Sequence, residues 1–281
     1  MTTKKQNLIY YSIGYLFVAL LAIYTIYPIV YTLLGSLKTN AELTQGGSFL
    51  PKEWHFKNYR TALLEGHFLQ YGLNSVVVSI SVLIIAVITT SLAGYTFARK
   101  SFYGKKFIMA LYLALVFIAM GSVTLFPTYR VLLFLHLNKS LAGLILALVG
   151  GQITNVLLVM GFVKTIPIEL DEAATIDGCS PYGTFFRIIL PLLKPILAVV
   201  ALFSFRTAWN DYLVSFIISI FTPSIKTLTV AVVQLKYAVN AAAEWHIMLA
   251  GASLSIIPIL ILYFFANKQF IGGLTAGAVK G

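Results

Sequence analysis

Long apolar runs without a charge dominate this 281-residue chain. Five of them contain no Asp, Glu, Lys or Arg and lie between Lys5 and Lys38, Glu65 and Arg99, Lys106 and Arg130, Lys139 and Lys164, and Glu244 and Lys268. A helix needs about 20 mostly apolar residues to cross the hydrocarbon core of a bilayer. Each run is long enough, so the pattern predicts an integral membrane protein built from α-helices.

A sixth run, from about Pro195 to Phe221, has a similar length but contains Arg206 and Asp211. Composition agrees with a membrane location, because 59% of the residues are hydrophobic and only 10% are charged, against about 25% charged residues in a typical soluble domain. We therefore predict an all-α fold with six transmembrane helices. Their cores lie near 9–35, 71–97, 107–126, 140–162, 196–219 and 247–266.

The N-terminus has one feature of a secretory signal, because Lys4 and Lys5 precede an apolar run. That run continues to Lys38, whereas the apolar part of a signal peptide spans only about 7–15 residues. We therefore expect an uncleaved transmembrane helix over 1–37. The predicted order continues with an extracytoplasmic loop over 38–70, a helical core over 71–267 with a cytoplasmic loop at 164–194, and a cytoplasmic tail over 268–281.

Basic residues orient the predicted spans. The short loop RKSFYGKK, residues 99–106, is rich in Lys and Arg, and short basic loops favour the cytoplasmic side of a membrane. Because an even number of spans returns the chain to its starting side, we expect both termini in the cytoplasm of a multi-pass cytoplasmic-membrane protein. The net charge of +11 is scattered along the chain, which favours contact with anionic lipid and argues against nucleic-acid binding.

One acidic segment interrupts the apolar pattern between Pro167 and Pro195. Pro167 suits the start of a helix, and Gly178 suits a left-handed stop about three turns later. Ser180-Pro181 then suits the cap and first turn of a second helix. On the first helix, four residues at i, i+3, i+4 and i+7 spacing share a face, namely Leu170, Ala173, Ala174 and Asp177.

The same segment places Glu169, Asp171, Glu172 and Asp177 close together in an apolar chain. A helix lying on the lipid surface is one interpretation, but interfacial helices favour Lys and Arg on the polar face. Anionic lipids would repel these acids. The pattern therefore favours contact with water or with a soluble, basic partner.

The segment also carries a spaced pattern, which runs Glu172-Ala173-Ala174, three residues, Gly178, nine residues, and Ile188-x-Leu190-Pro191. This pattern resembles the EAA motif of ABC importer permeases. Three other stretches are similar to the carbohydrate-uptake branch of that family, in particular its maltose-permease G-type subunits; they are 74–99, 205–213 and 248–281.

The resemblance implies a type I ABC importer permease fold and a role for each motif residue. In such importers the EAA segment is a coupling helix seated in a cleft of a separate ATPase. It implies that Glu172 contacts a basic ATPase residue, that Ala173 and Ala174 allow close packing, and that Asp177 and Gly178 complete the coupling site, with Gly178 forming the turn.

The resemblance also implies partners. They are a second, homologous permease subunit that forms a heterodimer with this chain, two ATP-binding cassette subunits, an extracytoplasmic solute-binding protein, membrane lipid and a sugar or oligosaccharide substrate. Among substrates it favours a neutral oligosaccharide over an anion. The C-terminal tail after Lys268 is similar to that of G-type subunits, where it contacts the ATPase; a disordered end is the alternative.

Polar residues inside the predicted spans have two possible roles. Trp209, Asn210 and Asp211 in the fifth span could line a sugar pathway, through ring stacking and hydrogen bonds, or could pack the helices together. Both roles stay open, and the resemblance implies that one permease subunit of a heterodimeric sugar importer can hold most sugar contacts, which weakens the pathway role for this chain. Gln152, Thr154 and Asn155 in the fourth span leave the same choice, with packing favoured.

No catalytic or cofactor site is predicted. The four histidines lack a metal-ligand spacing, and Cys179 is the only cysteine. Gly178 and Gly183 have the glycine spacing of a phosphate-binding loop but lack its lysine, so we expect a partner to hydrolyse ATP. The alternative function is an ion-gradient-driven secondary transporter, which would need intramembrane charge relays and a visible repeat.

Overall fold

A computed structural model describes residues 2–46, 48–65, 67–117, 121–235 and 244–278, with side chains described over 10–46, 48–64, 67–116, 123–235 and 244–264. All regular structure in these residues is helical. The α-helices are α1 Thr2–Gly35, α2 Asn40–Thr44, α3 Lys57–Glu65, α4 Phe68–Arg99, α5 Lys105–Phe117, α6 Leu125–Phe134, α7 Leu141–Val149, α8 Ile153–Val163, α9 Glu169–Ile176, α10 Pro181–Gly183, α11 Leu190–Leu192, α12 Lys194–Trp209, α13 Leu213–Ser219, α14 Leu228–Leu235 and α15 Trp245–Ala278. Short 3₁₀ helices cover Gly121–Thr124 and Pro223–Ile225, and a π-helix covers Thr184–Ile189.

Three helices are long and apolar enough by themselves to cross a membrane. Their apolar segments are Tyr10–Gly35 in α1, Phe68–Arg99 in α4 and Trp245–Phe264 in α15. They coincide with the first, second and sixth predicted spans. The all-α membrane fold predicted from the sequence is therefore confirmed.

Two predicted spans are broken helices rather than the continuous helices expected. α7 and α8 meet at 50° across residues 150–152, where Gly150 and Gly151 adjoin. Each glycine costs a helix about 1 kcal/mol relative to alanine, so a bend here is inexpensive. The predicted helix over 196–219 also ends early, at Trp209, and resumes as α13.

The third predicted span, over 107–126, is only partly described. α5 provides its first part and ends at Phe117, and a 3₁₀ turn from Gly121 leads into α6. Residues 118–120 lie outside the described residues, so the continuity of this span stays a prediction.

By its internal contacts the chain divides into two compact units. The first contains residues 1–68 and 231–256, and the second contains residues 69–230 and 257–281. In the first unit, Ala62, Leu235, Ile247 and Ala250 form a buried apolar cluster, while the described side chains of α1 are mostly exposed.

A capping box fixes the short helix α2 of the first unit. The Glu42 backbone N–H donates to Thr39 Oγ1 at 3.2 Å, and the Thr39 backbone N–H donates to Glu42 Oε2 at 3.0 Å. This reciprocal pair satisfies donors that a helix start would otherwise leave free. The hydrogen bonds from the backbone of Thr39 and of Lys52 lower the pKa of the Glu42 carboxyl.

The second unit has two apolar clusters. One joins Tyr95 of α4 to Val159 and Val163 of α8 and to Phe185 and Ile189 of the acidic segment. The other joins α4, α6, α7, α12 and α13, through Val78, Val82, Leu132, Leu144, Leu148, Ala208 and Ile218. Both clusters use α4, and α12 also contributes to each through Val200 and Ala208, so these two helices connect the clusters of the unit.

Small residues let α4 and α8 pack closely. A Cβ atom added at Gly94 would lie 2.6 Å from Val159 Cγ1 and 3.0 Å from the Met160 backbone nitrogen. The neighbouring Thr90 and Ser91 are also small and buried. Small side chains at helix crossings are typical of membrane proteins, where close backbone approach maximises van der Waals contact.

Candidate functional site

The acidic segment forms a helix–turn–helix, as its sequence predicts. α9 begins at Glu169, two residues after Pro167, and Gly178 adopts the expected left-handed conformation with φ of 76°. The Cys179 N–H donates to the Ala174 carbonyl at 2.9 Å, and the Gly178 N–H donates to the Thr175 carbonyl at 3.1 Å. This pair of bonds is the Schellman arrangement, which satisfies the last carbonyls of a helix.

The second helix of the segment starts at the predicted cap. Ser180 Oγ accepts a hydrogen bond from the Gly183 N–H at 3.1 Å, with Pro181 in the first turn. The helix then runs from Pro181 to Leu192, and its middle is π-helical. It meets α12 at 79°. Pro195 in the first turn of α12 explains the bend, because a proline lacks the N–H that a continuous helix needs there.

A polar clamp ties α9 to the end of α4. Arg99 Nε lies 3.2 Å from Asp171 Oδ2, with the two side chains 9% and 15% exposed. Tyr95 Oη donates to Asp171 Oδ1 at 2.7 Å, and Arg99 Nη2 donates to the Ile166 carbonyl at 2.6 Å. One guanidinium thus holds both the aspartate of α9 and the backbone that leads into it.

Aromatic packing reinforces this clamp beneath the segment. The rings of Tyr95 and Phe185 have centroids 5.2 Å apart, and Phe185 is buried together with Ile189. Ala174 faces the same interior and is 2% exposed. The inner side of the segment is therefore fixed to the helices of its own unit.

The outer side of the segment is uncovered. We call Glu172, Ala173, Ile176, Tyr182 and Phe186 the outer face. All five are exposed, with Ile176 at 86% and Tyr182 at 77%. On α9, Ile176 lies one helical turn from Glu172, and an exposed apolar side chain beside an acid is typical of an interaction site. The exposed side of α9 suits a partner with a basic residue and an apolar recess.

The predicted coupling residues separate into two groups. Glu172, Ala173, Asp177 and Gly178 are exposed, whereas Ala174 is buried within the chain. The two alanines therefore differ: Ala173 is open to a partner, while Ala174 packs inside its own unit. The role of these residues in ATPase coupling stays a prediction.

Sequence reasoning missed the distinct role of Asp171, together with Arg99 and Tyr95. The three residues come from segments far apart in the chain, and Asp171 lies beside Glu169 and Glu172 in an acidic cluster that shows no difference among its members. The one available signal was the spacing on α9, because Asp171 and Ala174 are three residues apart and share the inner side.

Polar residues of α8 form a closed network with α12. Asn155 Nδ2 donates to Ser204 Oγ at 3.1 Å, and Ser204 Oγ donates to Gln152 Oε1 at 3.0 Å. Asn155 Nδ2 also donates to Gln152 Oε1. These contacts favour the packing role for Gln152 and Asn155. Thr154 is exposed.

The three pathway candidates of the fifth span have different surroundings. Trp209 is 2% exposed and stacks on Phe205 with ring centroids 5.5 Å apart. Asp211 Oδ1 accepts hydrogen bonds from the Ser215 N–H and hydroxyl, both at 2.8 Å, and thereby satisfies a backbone donor in the first turn of α13. Asn210 is exposed. Trp209 and Asp211 thus have packing roles, and the pathway role of all three stays a prediction.

Two further predictions concern the C-terminus and metal binding. α15 continues to Ala278, but the side chains of the tail after Lys268 lie outside the described residues. Within the part of the chain that the structure describes, no group of three His, Cys, Asp or Glu side chains could hold a metal ion.

Comparison with known proteins adds sequence relatives. Residues 71–271 match the protein family described as binding-protein-dependent transport system inner membrane component. The chain is 33% identical over 274 residues to the maltodextrin transport system permease protein MdxG of Bacillus subtilis, covering 95% of both chains. It is 34% identical over 289 residues to the galactooligosaccharides transport system permease protein GanQ of Bacillus subtilis, covering 99% of this chain and 98% of the relative.

A solved structure has a similar fold. The crystal structure of a bacterial ABC transporter involved in the import of the acidic polysaccharide alginate matches with a TM-score of 0.78. The match covers 93% of this chain and 96% of that chain, at 21% sequence identity. At this identity the likeness concerns the fold alone.

Proposed function

Because the chain belongs to the family of binding-protein-dependent transport system inner membrane components, we propose that it is the permease subunit of an ATP-driven importer for a sugar or oligosaccharide. The predicted type I permease fold agrees with this family and with the structural match. The chain is a transport subunit, and ATP hydrolysis belongs to a partner.

The outer face of the acidic segment carries this proposal. In the proposed complex, Glu172 and Ala173 dock against a separate ATP-binding cassette subunit, and Ile176 enters an apolar recess of that subunit. Three observations support the docking: the face is exposed, it combines an acid with apolar side chains, and its backbone is held by the Schellman turn at Gly178. A rigid, preformed contact site costs little ordering entropy on binding.

The clamp between Asp171 and Arg99 connects the motion of the ATPase subunits to the membrane helices. When the ATPase subunits close, α9 moves with them, and Asp171 transmits the displacement to Arg99 at the end of α4. Since α4 contributes to both apolar clusters of its unit, a shift of its end is passed to the other helices. Packed elements of this kind transmit small displacements because they are close-packed and not continuously deformable.

The substrate class comes from the relatives. Those with the most similar sequences include permease proteins named for maltodextrin, galactooligosaccharides and arabinooligosaccharides. We therefore assign an oligosaccharide as cargo. The proposed assembly contains a second, homologous permease, two ATPase copies and an extracytoplasmic solute-binding protein, and it places both termini of this chain in the cytoplasm.

Charge reversal at Glu172 tests the docking. Glu172→Lys should lower co-purification of the ATPase with the tagged chain to the amount that the second permease retains, because a lysine would face the basic partner residue while the buried inner side of α9 stays intact. Like charges brought together at an interface cost several kcal/mol. The measurement is the amount of ATPase recovered per permease from solubilised membranes.

The matched control is Glu53→Lys, which makes the same charge change at an exposed site, 83% accessible, in the predicted extracytoplasmic loop. It should leave the ATPase bound. Undiminished ATPase recovery with Glu172→Lys, at equal amounts of permease in the membrane, would refute the proposed docking.

A further inference from the structure

A polar cavity lies between α8 and α12, inside the predicted membrane region. Its volume is about 350 Å³, within the range of about 300–1,000 Å³ typical of small-molecule sites. Six of the residues that line it have polar or aromatic side chains, namely Gln152, Thr154, Asn155, Phe203, Arg206 and Thr207.

The polar groups of the cavity fall into two sets. Gln152 and Asn155 bond to each other and to Ser204, so their hydrogen-bonding capacity is largely used. Arg206, Thr154 and Thr207 are exposed. Within the ranges that the structure describes, no hydrogen-bond or ion-pair partner meets the Arg206 guanidinium. The cavity therefore presents a free positive charge and two hydroxyl groups.

An arginine whose charge has no partner destabilises a membrane-spanning helix. Its cost at the centre of a transmembrane helix is at least about 2.5–3.5 kcal/mol. Arg206 lies in the last turn of α12, where the helix dipole stabilises a cation by typically about 0.3–1 kcal/mol. The dipole alone is too weak, so Arg206 needs water or an anion beside it.

We propose that this cavity opens onto the translocation pathway and binds an anionic group of the cargo, the carboxylate or phosphate of an acidic saccharide. Arg206 is the binding group, because a guanidinium offers several donors in a fork that matches carboxylate and phosphate oxygens. Thr154 and Thr207 bond sugar hydroxyls, and the ring of Phe203, 38% exposed, covers an apolar face of the sugar.

This inference rests on the proposed importer function and narrows its substrate. It assigns a cargo contact to this subunit, although the resemblance implies that one of the two permeases can hold most of the contacts. It also departs from the neutral cargo that the resemblance favours, because an anionic group neutralises the unpaired charge of Arg206 and a neutral sugar does not.

Thiol labelling tests the site without knowledge of the natural cargo. Cys179 is the only cysteine, so Cys179→Ser provides a cysteine-free chain, and Thr207→Cys then places one thiol in the cavity. The complex, isolated from membranes by a tag on this chain, is treated with anionic sulfonatoethyl and cationic trimethylammonioethyl methanethiosulfonate. Both reagents should react. Ala208→Cys, at the adjacent residue with 3% exposure, should react with neither.

Arg206→Gln then measures how strongly the charge of Arg206 attracts the anionic reagent. It should lower the ratio of the anionic to the cationic labelling rate about tenfold, because a local charge raises the concentration of counter-ions at a site by about 10-fold or more. Arg206→Lys should keep most of the ratio. An unreactive Thr207→Cys would mean that the second permease or lipid covers the cavity, and an unchanged ratio would mean that Arg206 attracts no anion; either result overturns the proposal.

Protection by small ligands identifies the anion. Glucuronate should slow the anionic labelling if the site takes a carboxylate, and glucose 1-phosphate should do so if it takes a phosphate, whereas glucose should have no effect. Protection by neither acidic sugar overturns the proposal. These outcomes are independent of ATPase recovery, so failure of the cavity assignment is distinguishable from failure of the importer assignment.

Discussion

At the scale of single residues, the acids of the coupling segment divide by direction. Asp171 faces inward and pairs with Arg99 and Tyr95, while Glu172 faces outward. Neighbouring carboxylates thus have separate tasks: one holds α9 to its own subunit, and the other is available to a partner. Mutations at the two positions should therefore produce different defects.

Asp171→Asn tests the inward task. It removes the charge that neutralises a largely buried guanidinium, and breaking a buried ion pair costs about 3–5 kcal/mol, near the lower end here because both side chains keep some solvent contact. We expect a lower melting temperature of the purified permease, and weakened coupling of ATP hydrolysis to cargo uptake, with the ATPase still bound.

A charge exchange provides the control for Asp171. The double variant Arg99→Asp with Asp171→Arg restores opposite charges at the same place, and it should recover part of the lost melting temperature and coupling, beyond either single variant. Full coupling in the single Asp171→Asn variant would contradict the role of the clamp.

The sequence distinguishes the outward acid more readily than the inward one, because Glu172 belongs to a stretch that resembles the EAA motif. Glu172 was identified through a spaced motif contained in twenty consecutive residues, 172–191. The clamp joins α4 to α9 across the intervening spans, and such a pairing leaves no mark in a single sequence. The burial of Trp209 was not foreseen either, although its stacking partner Phe205 lies only one helical turn away, because burial depends on the neighbouring helices.

At the scale of elements, the turn at Gly178 sets the angle between the two short helices of the segment. Its φ of 76° costs a residue with a Cβ roughly 1–2 kcal/mol, and no atom beyond the two adjacent residues lies within 4 Å of a Cβ added there. Gly178→Ala should therefore change the backbone conformation of the turn rather than cause a clash, and it should reduce ATPase recovery and uptake.

Gly104→Ala is the matched control for the turn. Gly104 has a φ of 81° and equally free space around it, but it lies in the loop between α4 and α5. Both variants should lower stability by a similar amount in thermal unfolding, and only Gly178→Ala should reduce cargo-stimulated ATP hydrolysis. Equal losses of activity in both variants would assign the effect to strain alone.

Local signals explain which elements the sequence predicted. The turn at Gly178 and the cap at Ser180 depend on residues within a few positions of each other, and both were predicted. The breaks at 150–152 and at 210–212 depend on how adjacent helices pack, since a glycine pair, for example, only makes a bend inexpensive. Continuous spans were expected there, and broken ones are found.

At the scale of the whole molecule, the charge-free runs were enough to predict a helical membrane protein, because the need to bury backbone polar groups in lipid leaves few alternatives to the helix. They do not specify which helix faces contact other subunits. Exposed apolar side chains along α1 and α15 suit lipid and protein neighbours equally well, so the assembly rests on the outer face of the acidic segment.

Photo-crosslinking from the outer face tests that assembly most directly. With p-benzoylphenylalanine at position 176, where Ile176 is 86% exposed, ultraviolet irradiation of membranes from the native host should join this chain to an ATP-binding cassette subunit. The same amino acid at position 53, in the predicted extracytoplasmic loop, should give no such product. Crosslinks from position 176 to lipid alone, in membranes that contain the ATPase, would contradict the proposed coupling site.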